Sequence, residues 1–313
     1  MMSRRRMPLG ALCAGLALLA AGCSATSSGR DPVFTVPPAS SSSSAPPGGS
    51  APAGAPAGLP SGTPPLGAPS APVAGAPLGQ PVGWRLSDIP KFPPAPPPER
   101  MTAAPGGRVQ ALSRLPVTKP VAFLTIDDGV LKDPEAPKLF AAAGIPVTLF
   151  LTTDFIQDDL PFFDRLRDHG AVIEAHTISH PELAGRGYDF QRRQICDGAD
   201  RLGEWYGRRP VLFRPPFGDK DSTTLRVAKE CGLRAAFMWK ETVDKGIVRY
   251  QEPVKRVQPG DIILMHFRPA FVQDFLAALR AIHRSGLTPA LLEDYVPLDG
   301  LPSPIGRPAG RTG

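Results

Sequence analysis

The chain has 313 residues, 40 prolines, 32 glycines and a formal charge of +6. It cannot be packed domain throughout: from Pro32 to Trp84 no residue is charged and few are large and apolar, which buries too little surface to offset the ordering entropy. Nor is it a nucleic-acid binder by charge, because without Arg4, Arg5 and Arg6 the balance is 32 bases to 29 acids, with no clustered basic face.

In chain order, the three arginines precede an apolar run from Leu9 to Ala21. Residues 1–22 read as a secretory signal peptide, too short and wrongly flanked for a spanning helix. Leu19-Ala20-Ala21-Gly22-Cys23 resembles a bacterial lipobox, which implies cleavage before Cys23 and lipid on its sulfur. The alternative is a plain secreted protein with an incidental Cys23. Residues 23–100 read as a disordered Pro/Ala/Ser/Gly-rich linker, extended and partly polyproline. At up to ~3 Å per residue it would hold a domain more than ~100 Å from its membrane. The expected location is outside the cytoplasm, lipid-anchored and facing the cell wall, or secreted if the lipobox is unused.

Residues 117–296 read as one domain, followed by a flexible tail, 297–313. VAFLTI (121–126) is strand-like, and APKLFAAAG (136–144) is a helix closed by a glycine. PVTLFLT (146–152) is a strand, LPFFDRLRDHG (160–170) a short helix, AVIEAH (171–176) a strand, and 189–207 a longer helix. VLFRPP (211–216), RAAFMW (234–239), DIILMHF (261–267) and TPALL (288–292) are further strands, with helices at DSTTLRVAKECG and FVQDFLAALRAIHRSG. Strand alternating with helix predicts parallel α/β with the helices outside. The fold expected is a distorted (β/α) barrel of about seven strands; an open doubly wound sheet is the alternative, but no Gly-rich dinucleotide loop follows the first strand. Cys196 and Cys231 both fall in predicted helices, either paired or as two buried thiols.

The polar residues sit at C-terminal strand ends, where barrel enzymes build their sites. Asp127 and Asp128 follow the first strand, His176 and His180 the third; Arg214 and His266 end later ones. Two imidazoles four apart can converge on one metal, and Pro181 puts this pair in a strand-to-loop turn. Two histidines and a carboxylate leave open metal positions. Neighbouring strand residues point oppositely, so both aspartates serve one site only if the chain turns at Gly129. One aspartate would bind the metal, and Arg214 would grip the other in bidentate fashion.

TIDDG, HTISH, RPPFG and LMH, in this order, resemble the polysaccharide deacetylase family with the NodB-homology domain, carbohydrate esterase family four. The resemblance spans roughly residues 117–296. It implies a distorted (β/α) barrel that removes acetyl groups from glycans with a divalent metal, Zn²⁺ first and Co²⁺ second. It implies Asp128, His176 and His180 as ligands, Asp127 as general base, Arg214 as its orienting cation and His266 as general acid. The Phe217 N–H would help stabilise the oxyanion, with Leu264 lining the acetyl pocket. The physical division of labour is consistent: an amide nitrogen leaves poorly unless protonated, and a histidine titrates in the right range.

One motif departs. The family carries an Asp-Trp pair that orients the acid histidine, and here the region reads MWKETVDKGIV, with Asp244 or Glu241 as stand-ins. The expected activity is N-deacetylation of an acetylated glycan, cell-wall peptidoglycan or a chitin-like polymer, by a monomer bound to the membrane through its lipid and not to nucleic acid. The alternatives are an O-acetyl esterase on a polysaccharide such as acetylxylan, where the leaving alcohol needs less help, and a catalytically impaired wall-binding lipoprotein.

Overall fold

A computed structural model of the chain describes residues 83–102, 106 and 108–297. The signal segment, Cys23, the linker up to residue 82 and the tail from 298 lie outside the described residues.

The elements run β1 (Gln110–Leu112), β2 (Val121–Asp128), α1 (Ala136–Ala143), β3 (Val147–Leu151), α2 (Thr153–Ile156), α3 (Leu160–Arg167) and β4 (Ala171–Ala175). Then come α4 (Tyr188–Arg192), a π-helical stretch (Arg193–Asp197), α5 (Gly198–Tyr206), β5 (Leu212–Phe213), α6 (Ser222–Glu230) and β6 (Ala235–Phe237). The chain closes with β7 (Glu241–Asp244), β8 (Ile247–Tyr250), β9 (Ile262–His266), α7 (Phe271–Arg284) and β10 (Thr288–Pro289).

One sheet holds the strands in the order β1-β6-β5-β4-β3-β2-β9-β7-β8, with β10 beside β2. Every pairing is parallel except β7 with β8. The sheet is apolar on both faces and curls around the smaller of its two apolar clusters. Ala122, Leu124 and Ile126 of β2 pack with helix residues such as Leu139, Phe140 and Phe275. Val121 and Phe123 join Phe150, Leu212, Phe237 and Ile262 on the concave side. This alternation along β2 is the period-2 rule of a strand buried twice. The result is a half-barrel with helices outside, the distorted (β/α) barrel expected. On its open side, between the β1 and β8 edges, the chain after β1 is laced to the chain entering β9: Leu115 N–H donates to Gly260 O, and Arg114 bridges Asp261.

Three expectations need correction. The linker does not stay free to residue 100. Trp84 Nε1 donates to Glu135 at 2.8 Å, Ile89 and Phe92 pack against the core, and Met101 N–H donates to Tyr295 O. These few large apolar groups supply the buried surface that the Pro/Ala stretch before them lacks. The strand expected over 234–239 stops at Phe237, and the region after Met238, where no strand is expected, is a β-hairpin, β7–β8; Lys245 (φ 54°) and Gly246 (φ 72°) both sit left-handed, the requirement of a two-residue hairpin turn matched to strand twist. The long helix over 189–207 is interrupted by the π-helical stretch.

Cys196, in that stretch, is disulfide-bonded to Cys231 at the end of α6. Among the described residues no helix is long and apolar enough to cross a membrane.

Candidate metal centre and active site

Register alone places the first two residues. β2 lies between β3 and β9, and Asp127 is the cross-strand partner of His266. Strands pair at about 4.8 Å, so carboxylate and imidazole emerge side by side at the C-terminal rim. Asp127 is on the concave face by alternation with Phe123 and Thr125. Asp128 would point to the helix layer, but its φ of 75° swings it back. The turn expected at Gly129 therefore begins one residue earlier. Gly129 (φ 90°) completes it, and a side chain there would collide with Ile156.

Left-handed backbone costs a non-glycine residue about 1–2 kcal/mol, and such strain persists only where surroundings over-determine it. Asp128, Thr177, His180 and Phe217 all pay that cost, and all belong to this site.

Arg214 follows β5 and is fully buried. Its Nη1 donates to Asp127 Oδ1 at 2.6 Å and to Thr125 Oγ1 at 2.8 Å; Nε donates to Phe237 O and Nη2 to Met238 O. The bidentate grip on Asp127 is thus corrected to a single-nitrogen one, because the other donors are spent on the backbone of β6 and its exit. The guanidinium is stacked over Phe150, 4.3 Å from the ring centre, and near Trp239, which lies beyond β6. Burial pulls its pKa below the ordinary value, and Asp127 pulls it back. Thr125 escaped sequence reasoning. Its hydroxyl donates to Ile263 O and accepts from Arg214, a link across 89 residues with no local signal.

Arg214 also acts through its carbonyl. His176 Nδ1 lies 2.7 Å from Arg214 O. A carbonyl only accepts, so Nδ1 carries the hydrogen and the neutral ring presents a bare lone pair at Nε2. That lone pair faces Asp128 Oδ1 at 3.5 Å and Asp127 Oδ2 at 3.7 Å. His180 Nε2 reaches the same Asp128 Oδ1 at 3.3 Å. Asp128 Oδ1 is buried without a hydrogen-bond partner. Asp128 Oδ1 and one ring nitrogen each from His176 and His180, all atoms that can ligate a metal, thus lie within 4.8 Å of one another. A divalent cation would satisfy all three, and an Asp-His-His donor set suits zinc-like ions; the His176–Arg214 contact is of the kind that fixes a ligating imidazole in metal sites.

Phe217 extends the Pro215-Pro216 turn at φ 59°. The turn's bonds, Gly218 N–H to Pro215 O and Asp219 N–H to Pro216 O, leave the Phe217 N–H out. Its exposed ring packs edge-on against His180 at 4.5 Å, with Phe155 beside His180 at 6.0 Å. Leu264 is buried on the concave face, opposite Thr125.

His266 is held below its usual pKa by burial, against the pull of Asp127 and Asp128. Among the described residues no carboxylate lies within ion-pair distance of its ring. Glu241 is not that partner: it pairs across from Ile263 and meets Asp261, near the other end of β9. Asp244 faces Arg249 at 3.7 Å instead. Both stand-ins are therefore placed away from the role assigned by the resemblance.

Fold and site together define a distorted (β/α)-barrel protein with an Asp-His-His triad and a clamped carboxylate at its strand ends. The family profile described as polysaccharide deacetylase matches residues 114–236. An uncharacterised protein of Streptomyces coelicolor is 37% identical over 182 residues, 56% of this chain and 73% of that one. A peptidoglycan-N-acetylglucosamine deacetylase of Bacillus cereus is 31% identical over 162 residues, 49% of this chain and 58% of its own. The solved Bc1960 peptidoglycan N-acetylglucosamine deacetylase shares the fold, with a TM-score of 0.50 at 23% identity over 60% of this chain and 93% of that one. The chain belongs to the polysaccharide deacetylase family.

Proposed function

We propose that this protein is a metal-dependent N-deacetylase of cell-wall glycan, held outside the cytoplasm by lipid on Cys23. The observation that carries the reading is the unpartnered Asp128 Oδ1 facing two imidazole Nε2 atoms, next to an arginine-clamped Asp127. Asp128, His176 and His180 would hold the divalent metal. Such an ion, when bound, makes water a better nucleophile and polarises a carbonyl oxygen.

The chain's own residues supply the rest. Asp127 takes a proton from the attacking water, with Arg214 fixing one carboxylate oxygen so that the other, Oδ2, faces the site. The Phe217 N–H donates to the acetyl oxygen as negative charge develops there, and the left-handed turn that carries it pre-pays its orientation. His266, one strand over, gives a proton to the leaving nitrogen as the C–N bond breaks. Acetate and a free amine result.

The buried Cys196–Cys231 disulfide supports the extracytoplasmic location, since such bonds persist in oxidising compartments. The relative from Bacillus cereus acts on peptidoglycan by its name, which supports that substrate. One observation favours a second reading, O-deacetylation: among the described residues no carboxylate lies within ion-pair distance of His266, and an alcohol leaves with less acid help. Acetate release from peptidoglycan, chitooligosaccharide and acetylxylan, with Asp127→Asn as control, separates them. Release from the amide substrates, reduced by at least ~100-fold in Asp127→Asn, is expected. Release from acetylxylan alone would replace the reading with the ester one.

A further inference from the structure

The loop from Thr177 to Gly185 carries His180 and begins at His176, yet it has no regular structure. Its backbone donors can be traced. His180 N–H donates to Thr177 Oγ1, Leu183 and Ala184 N–H to Asp219 Oδ2, and Gly185 N–H to Asp221 Oδ2. The two residues in the centre of the ligand pair, Ile178 and Ser179, both donate to one atom, Gln194 Oε1, each at 3.1 Å. Gln194 Nε2 then donates to Ser179 Oγ at 3.0 Å.

Gln194 reaches the loop from the π-helical stretch Arg193–Asp197. Such wide turns re-aim a helix face and recur at functional sites. Four residues on, Gly198 presses the same helix face against the loop: a Cβ there would stand 3.0 Å from the Thr177 carbonyl carbon and 3.3 Å from Ile178 N. Between them, Cys196 ties the stretch to α6 through its disulfide. The loop it supports is strained, with Thr177 at φ 70° and His180 at φ 60°. A β-branched threonine rarely adopts that backbone, so something must hold it.

We infer that Gln194 is a positioning residue of the metal centre. Its amide oxygen fixes the middle two of the four peptide units between His176 and His180, and thereby the geometry in which the imidazoles meet Asp128. The inference rests on the metal reading above. Its test is a Zn²⁺ titration of the metal-free protein against a chromophoric chelator, alongside its melting temperature.

Gln194→Leu keeps the volume and removes the acceptor. It is expected to weaken Zn²⁺ affinity about 10- to 100-fold, the range for outer-shell changes, with the melting temperature of the metal-free protein little changed. Gln194→Glu keeps an oxygen for both N–H groups and is expected to bind close to wild type. Wild-type affinity in Gln194→Leu, or an equal loss in Gln194→Glu, overturns the inference. If the wild-type protein takes up no Zn²⁺, the metal reading itself falls, and this inference with it.

Discussion

Arg214 shows how much one side chain can determine. Its guanidinium clamps Asp127 and Thr125 while its carbonyl sets the tautomer of His176, so the proposed base and a proposed ligand are aligned by the same residue. Burying a charge without partners would be prohibitive; here four acceptors and two aromatic faces replace water. Lysine has one ammonium and no planar fork, so it cannot reach Thr125, Asp127 and two backbone carbonyls at once. Arg214→Lys should lower acetate release by about 100-fold, the cost of small misplacements at a reacting centre. Zn²⁺ affinity should hold, because the carbonyl to His176 is unchanged. Parallel steady-state and metal-titration measurements check the split; losing affinity and activity together would contradict it. At this scale much was readable. Asp127, Asp128, His176, His180 and Arg214 announce themselves as polar residues ending apolar runs. Thr125 does not, because a buried threonine in a strand is unremarkable until its partner, far along the chain, is known.

At the scale of elements, β7 was missed and its chemistry misassigned. ETVD and IVRY alternate as strands should, but the Lys245-Gly246 turn is a weaker hairpin signal than Asn-Gly, and the flanking strand ends hid the boundary. Register then decides the fate of Glu241. Paired across from Ile263, it is buried beside Asp261, and burial first, then Asp261, pushes its pKa up to about 9. The consequence is a pH dependence of stability remote from the site. The folded value lies above the unfolded one, 4.5, so the folded state holds a proton that the unfolded chain releases. Its contribution is fully present below the unfolded value and is lost as pH rises toward the folded one. Denaturant melts at about pH 5, 7 and 9 should show wild type losing stability relative to Glu241→Gln across that window. Parallel slopes for the two proteins would contradict the assignment.

For the whole molecule, alternation of short apolar runs with helices was enough to give a parallel sheet with helices outside, since periodicity and burial on both faces dictate it. What periodicity does not encode is closure: β1, the chain lacing Gly260 and Asp261, and the docking of Trp84, Ile89 and Phe92 all depend on contacts made far along the chain. Curling places the ends of β2, β4, β5 and β9 on one rim, so Asp127, Asp128, His176, Arg214 and His266 meet at strand ends and the loop after β4 has only His180 to bring in. Of the acidic groups that the chemistry does not use, Glu241 meets Asp261 near the other end of β9, and Glu174 and Glu293 share Arg208. The measurement that bears most directly on the metal centre is acetate release from peptidoglycan by the full chain, before and after a chelator, and in Asp128→Ala. If Asp128, His176 and His180 hold the metal, release stops on chelation, returns with Zn²⁺ or Co²⁺, and is absent from Asp128→Ala, which also binds no Zn²⁺. Undiminished release after chelation, or from Asp128→Ala, would contradict a metal centre at these residues.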